Sequence, residues 1–136
     1  MITVFLSGRI ANRKHLEYIS ENYLYEVCPD ITHDVDVVIE LHSELDDQLG
    51  GYCYGDCEDV HISLARRSYS QQYSYNEILR NLMHELIHAK QLILNEIAHD
   101  DPKYTDTDYM LLPWEQEAFS CESELCEIYF KKYLTS

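Results

Sequence analysis

Basic residues are scarce in this sequence. Ten Lys and Arg stand against 25 Asp and Glu, for a net charge of -15. Phosphate contacts need Lys and Arg, so the balance argues against direct nucleic-acid binding. No apolar run approaches the length that crosses a membrane. The opening residues, MITVFLSGRIANRK, hold an apolar run of five residues with no basic segment before it. Without a small-residue cleavage site they do not read as a secretory signal, and the expected location is the cytoplasm. Repeats, low-complexity tracts and linkers are missing too. The 136 residues are therefore expected to form one domain, 1–136.

Cysteine usage excludes a further class. Cys28, Cys53, Cys57, Cys121 and Cys126 are odd in number, and their spacings match no zinc ribbon. Cys53 and Cys57 flank a glycine-containing turn and form a candidate redox pair. The plainer expectation is reduced, partly buried thiols.

A hydrophobic fraction of 46% is enough for a core. Residues 2–6 are β-prone. Leu16, Ile19, Tyr23 and Val27 recur at helical spacing, which predicts a helix over 11–27, ended before Pro29. Val35, Val37, Ile39 and Leu41 alternate with their neighbours, as do Val60, Ile62 and Leu64. Gly50-Gly51 and Gly55-Asp56 punctuate the interval, so residues 35–65 read as a small meander. Ser74 and Glu77 make a capping box. Behind it Leu79, Leu82, Met83, Leu86, Ile87, Ile93 and Ile97 form an apolar stripe, predicting a helix over 75–97. Pro113 suits a first helical position, and Trp114, Ala118, Cys121, Leu125, Ile128 and Tyr129 continue a stripe to about residue 133. The expected class is α+β: an N-terminal helix, a small, mostly antiparallel sheet and two further helices.

The middle of the second predicted helix is interrupted by chemistry. His84-Glu85-Leu86-Ile87-His88 is an H-E-x-x-H motif. Positions four apart share a helix face, so both imidazoles can reach one metal ion. Glu85 lies beside that face, where it can take a proton from a water that the metal acidifies. A zinc site needs a third protein ligand and an open position. The extension H-E-x-x-H-x-x-G-x-x-H is absent, because Gln91 and Leu94 stand where Gly and His would be. The remaining candidates are Glu115, Glu117, Glu122 and His99. On a helix Glu115 and Glu122 share one flank, and Glu117 and Glu124 the other; the angles do not choose between flanks.

H-E-L-I-H-A followed by P-W-E-Q-E-A resembles the small gluzincin-type metallopeptidases, including the ImmA/IrrE-like proteins and phage-encoded peptidases. There a Glu in an E-x-x-A segment of a later helix completes the site. The likeness covers roughly residues 35–130 as an order of elements, and only the two motifs are specific. It implies a minimal zincin-like domain of phage or bacterial type, with His84, His88 and Glu115 on one zinc ion per chain and Glu85 as general base. Relatives often carry Asp or Asn after the Ala, where this chain has Phe119; Glu122, on the same flank, is then the candidate outer partner. The likeness also implies that the strand at residues 59–64 forms an edge that pairs with substrate. SprT-like proteins share H-E-x-x-H-A, but they use a downstream His among glycines, which His99 lacks.

Weaker candidates are Tyr104 and Tyr109 as stabilisers of an oxyanion, and Asn81, one turn before His84. The expected activity is peptide-bond hydrolysis on a peptide or protein substrate. So short a chain leaves room for a protein partner that completes the walls of the cleft, and no membrane is expected to take part. The alternative is a non-enzymatic acidic binding protein, such as a viral or mobile-element interaction protein or DNA mimic, with a structural or degenerate metal site.

Overall fold

A computed structural model describes residues 1–10, 12–97, 108 and 111–134 of the chain. Strand β1 (Ile2–Ser7) leads into helix α1 (Arg13–Val27), then β2 (Val35–His42). A short 3-10 turn (Asp46–Gln48) precedes β3 (Gly51–Gly55) and β4 (Asp59–Ala65). The two-residue strands β5 (Arg67–Ser68) and β6 (Gln71–Gln72) pair with each other before α2 (Tyr75–Ile93) and α3 (Pro113–Leu134). The class is α+β, as the alternating and helical patterns imply.

The expected meander is corrected. The four-stranded sheet runs in the order β1-β2-β4-β3, and its β1·β2 and β2·β4 pairings are parallel. Only β3·β4 is antiparallel. Two of its three pairings are parallel, so the sheet is mixed, where a mostly antiparallel one was expected. Alternation determines which side chains face the core, but it says nothing of strand direction or neighbour. Here the β3–β4 hairpin folds back so that β4 slots between β2 and β3. Asp56 closes its turn, its Oδ1 accepting from the backbone N–H groups of Glu58 and Asp59 at 2.9 Å each. Gly55, at φ +133, supplies a backbone shape that a side chain would strain.

The same order overturns the expected substrate edge. Strand β4 is paired on both sides, so residues 59–64 are not an edge; β3 is.

Val35, Val37, Ile39, Val60, Ile62 and Leu64 are buried on the sheet face that receives α1 and α2. Leu16, Ile19 and Leu24 of α1 and Leu79, Leu82, Met83 and Leu86 of α2 fill the other half of that core. The capping box of α2 forms as its sequence implies, with Ser74 Oγ accepting from Glu77 N and Glu77 Oε1 from Ser74 N. This helix ends at Ile93 rather than residue 97. Asn95 takes a left-handed conformation (φ 56), and the Glu96 and Asn95 amides bond back to Gln91 O (2.7 Å) and Leu92 O (3.2 Å). That is a Schellman cap with Asn in the place glycine usually holds. In α3 Trp114 and Ala118 are buried, whereas Ile128 is 48% exposed and falls outside the apolar contact expected of it.

Candidate metal centre

Helix α2 carries His84 and His88 one turn apart, and α3 packs against it with Glu115 in its first turn. One ligand atom from each of these three lies within 4.8 Å of the others, a group that could hold a metal ion. His88 Nε2 is 2.8 Å from Glu115 Oε1, and His84 Nε2 is 3.5 Å from the same oxygen. Ligands at about 2.0 Å around a tetrahedral ion stand roughly 3.3 Å apart, so the donor set fits an ion with small adjustment. All three residues are buried, Glu115 most deeply.

The other ring nitrogens are held as well. Glu122 Oε2 lies 2.7 Å from His84 Nδ1. Gln91 Oε1 lies 2.7 Å from His88 Nδ1, and the Gln91 amide nitrogen donates to Trp114 O (2.8 Å) and Glu117 Oε1 (2.6 Å). Since that amide end donates, its carbonyl end accepts, and His88 Nδ1 must carry the proton. A carboxylate on His84 Nδ1 sets the same tautomer. In the neutral rings each Nε2 then presents a lone pair toward Glu115, which is what a metal ion requires.

Without an ion, both Nε2 atoms face a carboxylate. Burial works against charge on His84, but the Glu115 carboxylate beside it, with Glu85 and Glu122, outweighs this and raises its pKa to about 9. His88 is raised by the same contest, burial opposed by Glu115, Gln91 and Glu85. Loading a metal must therefore displace protons. Glu85 sits beside them, 6% exposed. Burial pushes its carboxyl up to about 7; the two histidines pull it down, and Glu115 and Glu122 push it further up.

A cavity of about 230 Å³ opens here, lined by Glu85, His88, Glu115 and Trp114 from the helices and by Gly51 and Cys53 from β3. A Cβ on Gly51 would stand 3.2 Å from Glu85 Cγ, so the glycine leaves room for the carboxylate. Cys53 faces the same space as a free thiol, which burial first and Glu85 second hold well above the ordinary range. A neutral thiol is a poor ligand and a poor nucleophile. Cys28, Cys57 and Cys121 are also free, so Cys53 and Cys57 form no disulfide.

Of the sequence candidates, the fold brings together His84, Glu85, His88, Glu115 and Glu122. Glu117 lies on the other flank, bound to Lys90 Nζ (3.0 Å) and Gln91. Asn81 packs against Gly50. The Phe119 ring packs against that of His84 at a tilt of 59°, with 4.7 Å between centroids. His99, Tyr104 and Tyr109 lie outside the described residues. Sequence reasoning missed Gln91 as a partner of His88. Its spacing of three from His88 was the available signal, but surface glutamines share that spacing everywhere.

No family model, curated protein or solved structure matches the chain. The resemblance carried by HELIHA and PWEQEA rests on those residues alone. Among the described residues, no helix is long and apolar enough to cross a membrane.

Proposed function

We propose that this chain is a zinc-dependent metallopeptidase. The observation that carries the reading is the convergence of His84, His88 and Glu115 within 4.8 Å beside a buried Glu85. Two imidazoles and one carboxylate, with a cavity next to them, are the donor set of a catalytic zinc site that keeps a position open. Zinc, when bound, supplies Lewis-acid polarisation of a carbonyl and acidifies water.

The chain's own residues do the rest. Glu122 and Gln91 hold the two rings so that Nε2 points inward. Glu85 takes the proton of the attacking water and returns it to the leaving amine, and its burial beside both histidines holds it where that water would stand. Strand β3 ends the sheet and lines the cavity, so its open edge is available to pair with an extended peptide.

The test is metal content and hydrolysis together. Protein purified without added metal should contain about one zinc per chain, and it should cleave an unfolded protein substrate. Glu85→Gln should keep the zinc and lose the cleavage. A chain that takes up no zinc overturns the reading.

A second reading has one observation behind it. The sheet face turned away from the helices carries Phe5 (52% exposed) and Tyr54 (53% exposed) beside Asp36 and Glu40. An acidic, aromatic surface of this kind suits a basic protein partner. Salt-sensitive binding to such a partner, unaffected by Glu85→Gln, would favour it over catalysis.

A further inference from the structure

At the other end of α2 the chemistry changes sign. A cavity of about 530 Å³ is lined by Arg9, Arg66 and Arg67, with Ser43, Tyr73 and Tyr75 among its other walls. Three of the ten basic residues in a chain of net charge -15 meet at this one place. None of the lining residues is acidic. The volume falls within the roughly 300–1,000 Å³ typical of small-molecule sites.

The topology explains why these residues meet. Arg9 follows β1, Ser43 follows β2, and Arg66 and Arg67 follow β4. Those three strands are parallel, so their C-terminal ends open on one side of the sheet. That crevice is where open α/β sheets hold ligands. Helix α2 also begins here, with Tyr75 and Ile78 in the wall; the Glu77 carboxylate of its capping box offsets the positive end of its dipole, so the arginines carry the field. The Arg66 guanidinium is anchored through Nη1 to Arg9 O (3.3 Å) and Nη2 to Ser43 Oγ (3.1 Å). Arg67 Nε bonds Glu44 Oε1 at 3.0 Å. A guanidinium has five N–H donors, so both arginines keep donors beyond these anchors.

We propose that this cavity binds a small phosphomonoester, its phosphate held by Arg9, Arg66 and Arg67 and its organic part against Tyr73, Tyr75 and Ile78. Glu44 already offsets part of the Arg67 charge. The surplus matches a dianion with three terminal oxygens better than a single carboxylate. The aromatic and aliphatic walls suit a flat or apolar body attached to it. The site is roughly 15 Å along the helix axis from His88, counting from Ile78, and it does not depend on the metallopeptidase reading.

The test is amide-resolved NMR on the full chain, titrated separately with adenosine monophosphate, inorganic phosphate, malonate and chloride at matched ionic strength. Saturable shifts are expected at Arg9, Ser43, Arg66 and Tyr75, at lower concentration for the nucleotide than for inorganic phosphate. Arg66→Gln should weaken nucleotide binding about tenfold or more, the worth of a charged hydrogen bond. Arg66 also ties the ends of β1 and β2, so Arg9→Gln, at an exposed position, provides a second variant and should weaken binding less. Chelator treatment should leave the affinity unchanged. A response no different from chloride, shifts confined to the residues around His84, tighter binding of malonate, or unchanged affinity in both variants would each overturn the proposal.

Discussion

Helix α2 begins beside arginines that stand in water and, roughly two to four turns later, buries two histidines and a glutamate. At the first end Arg66 and Arg67 make single bonds to Arg9, Ser43 and Glu44 and stay partly solvated. At the second, both ring nitrogens of His84 and of His88 have a protein partner. Solvent supplies whatever a partly exposed guanidinium lacks. A buried imidazole or carboxylate must find partners in the protein, because an unpaired polar group there is costly. Substitutions should therefore couple strongly at the buried end and act nearly independently at the open one.

The comparison can be broken most sharply at Glu85. Glu85→Gln is expected to lower peptide hydrolysis by roughly 10²- to 10⁴-fold, the usual contribution of a general base. Zinc content, measured by elemental analysis, should not change. Next comes Glu115→Ala, which removes a proposed ligand. Its loss of zinc affinity, read by competition with a chromophoric chelator, should exceed the roughly 100-fold at the upper end for outer partners. Phosphate binding near Arg66 should be untouched, and a parallel loss there would show that the two ends are not separate.

Smaller effects sharpen the picture. Gln91→Ala and Glu122→Gln should each cost roughly 10- to 100-fold in zinc affinity. Glu117→Ala should cost less, since Glu117 touches Gln91 but neither ring. If all three losses are equal, the ring-orienting role of Gln91 and Glu122 is wrong. Ser74→Ala removes the α2 cap, and denaturant unfolding should register about 1 kcal/mol with zinc affinity unchanged.

The smallest effect lies in the β3–β4 turn. Backbone N–H groups of Asp59 and then Glu58 hold the Asp56 carboxyl below its usual 3.8. A depressed folded value means that the stabilisation is present above pH 3.8 and is lost as pH falls through the folded value. Asp56→Asn should flatten the acid limb of a stability–pH profile, by a small amount because the group is exposed. An unchanged limb would mean that the turn bonds do not favour the charged form.

Local signals were legible where one residue type has one good use. Ser74 and Glu77 announce the start of α2, Pro113 that of α3, and alternation assigns the core faces of β2 and β4. Asn95 was passed over as the end of α2, because asparagine in a left-handed cap looks in sequence like any polar residue. Strand order was not legible, since Gly50-Gly51 and Gly55-Asp56 mark turns without saying which strand comes to lie beside which.

By itself, the sequence determined the helices, the α+β class and the pairing of His84 with His88, because these depend on spacing within one element. Only the tertiary structure decided that Glu115 and Glu122, rather than Glu117, face the histidines, and that Gln91 holds His88. It alone brought Arg9, Arg66 and Arg67 to one cavity and made β3 the edge. Each of these depends on how separate elements dock. Docking is set by the packing of whole faces, and no run of neighbouring residues encodes it.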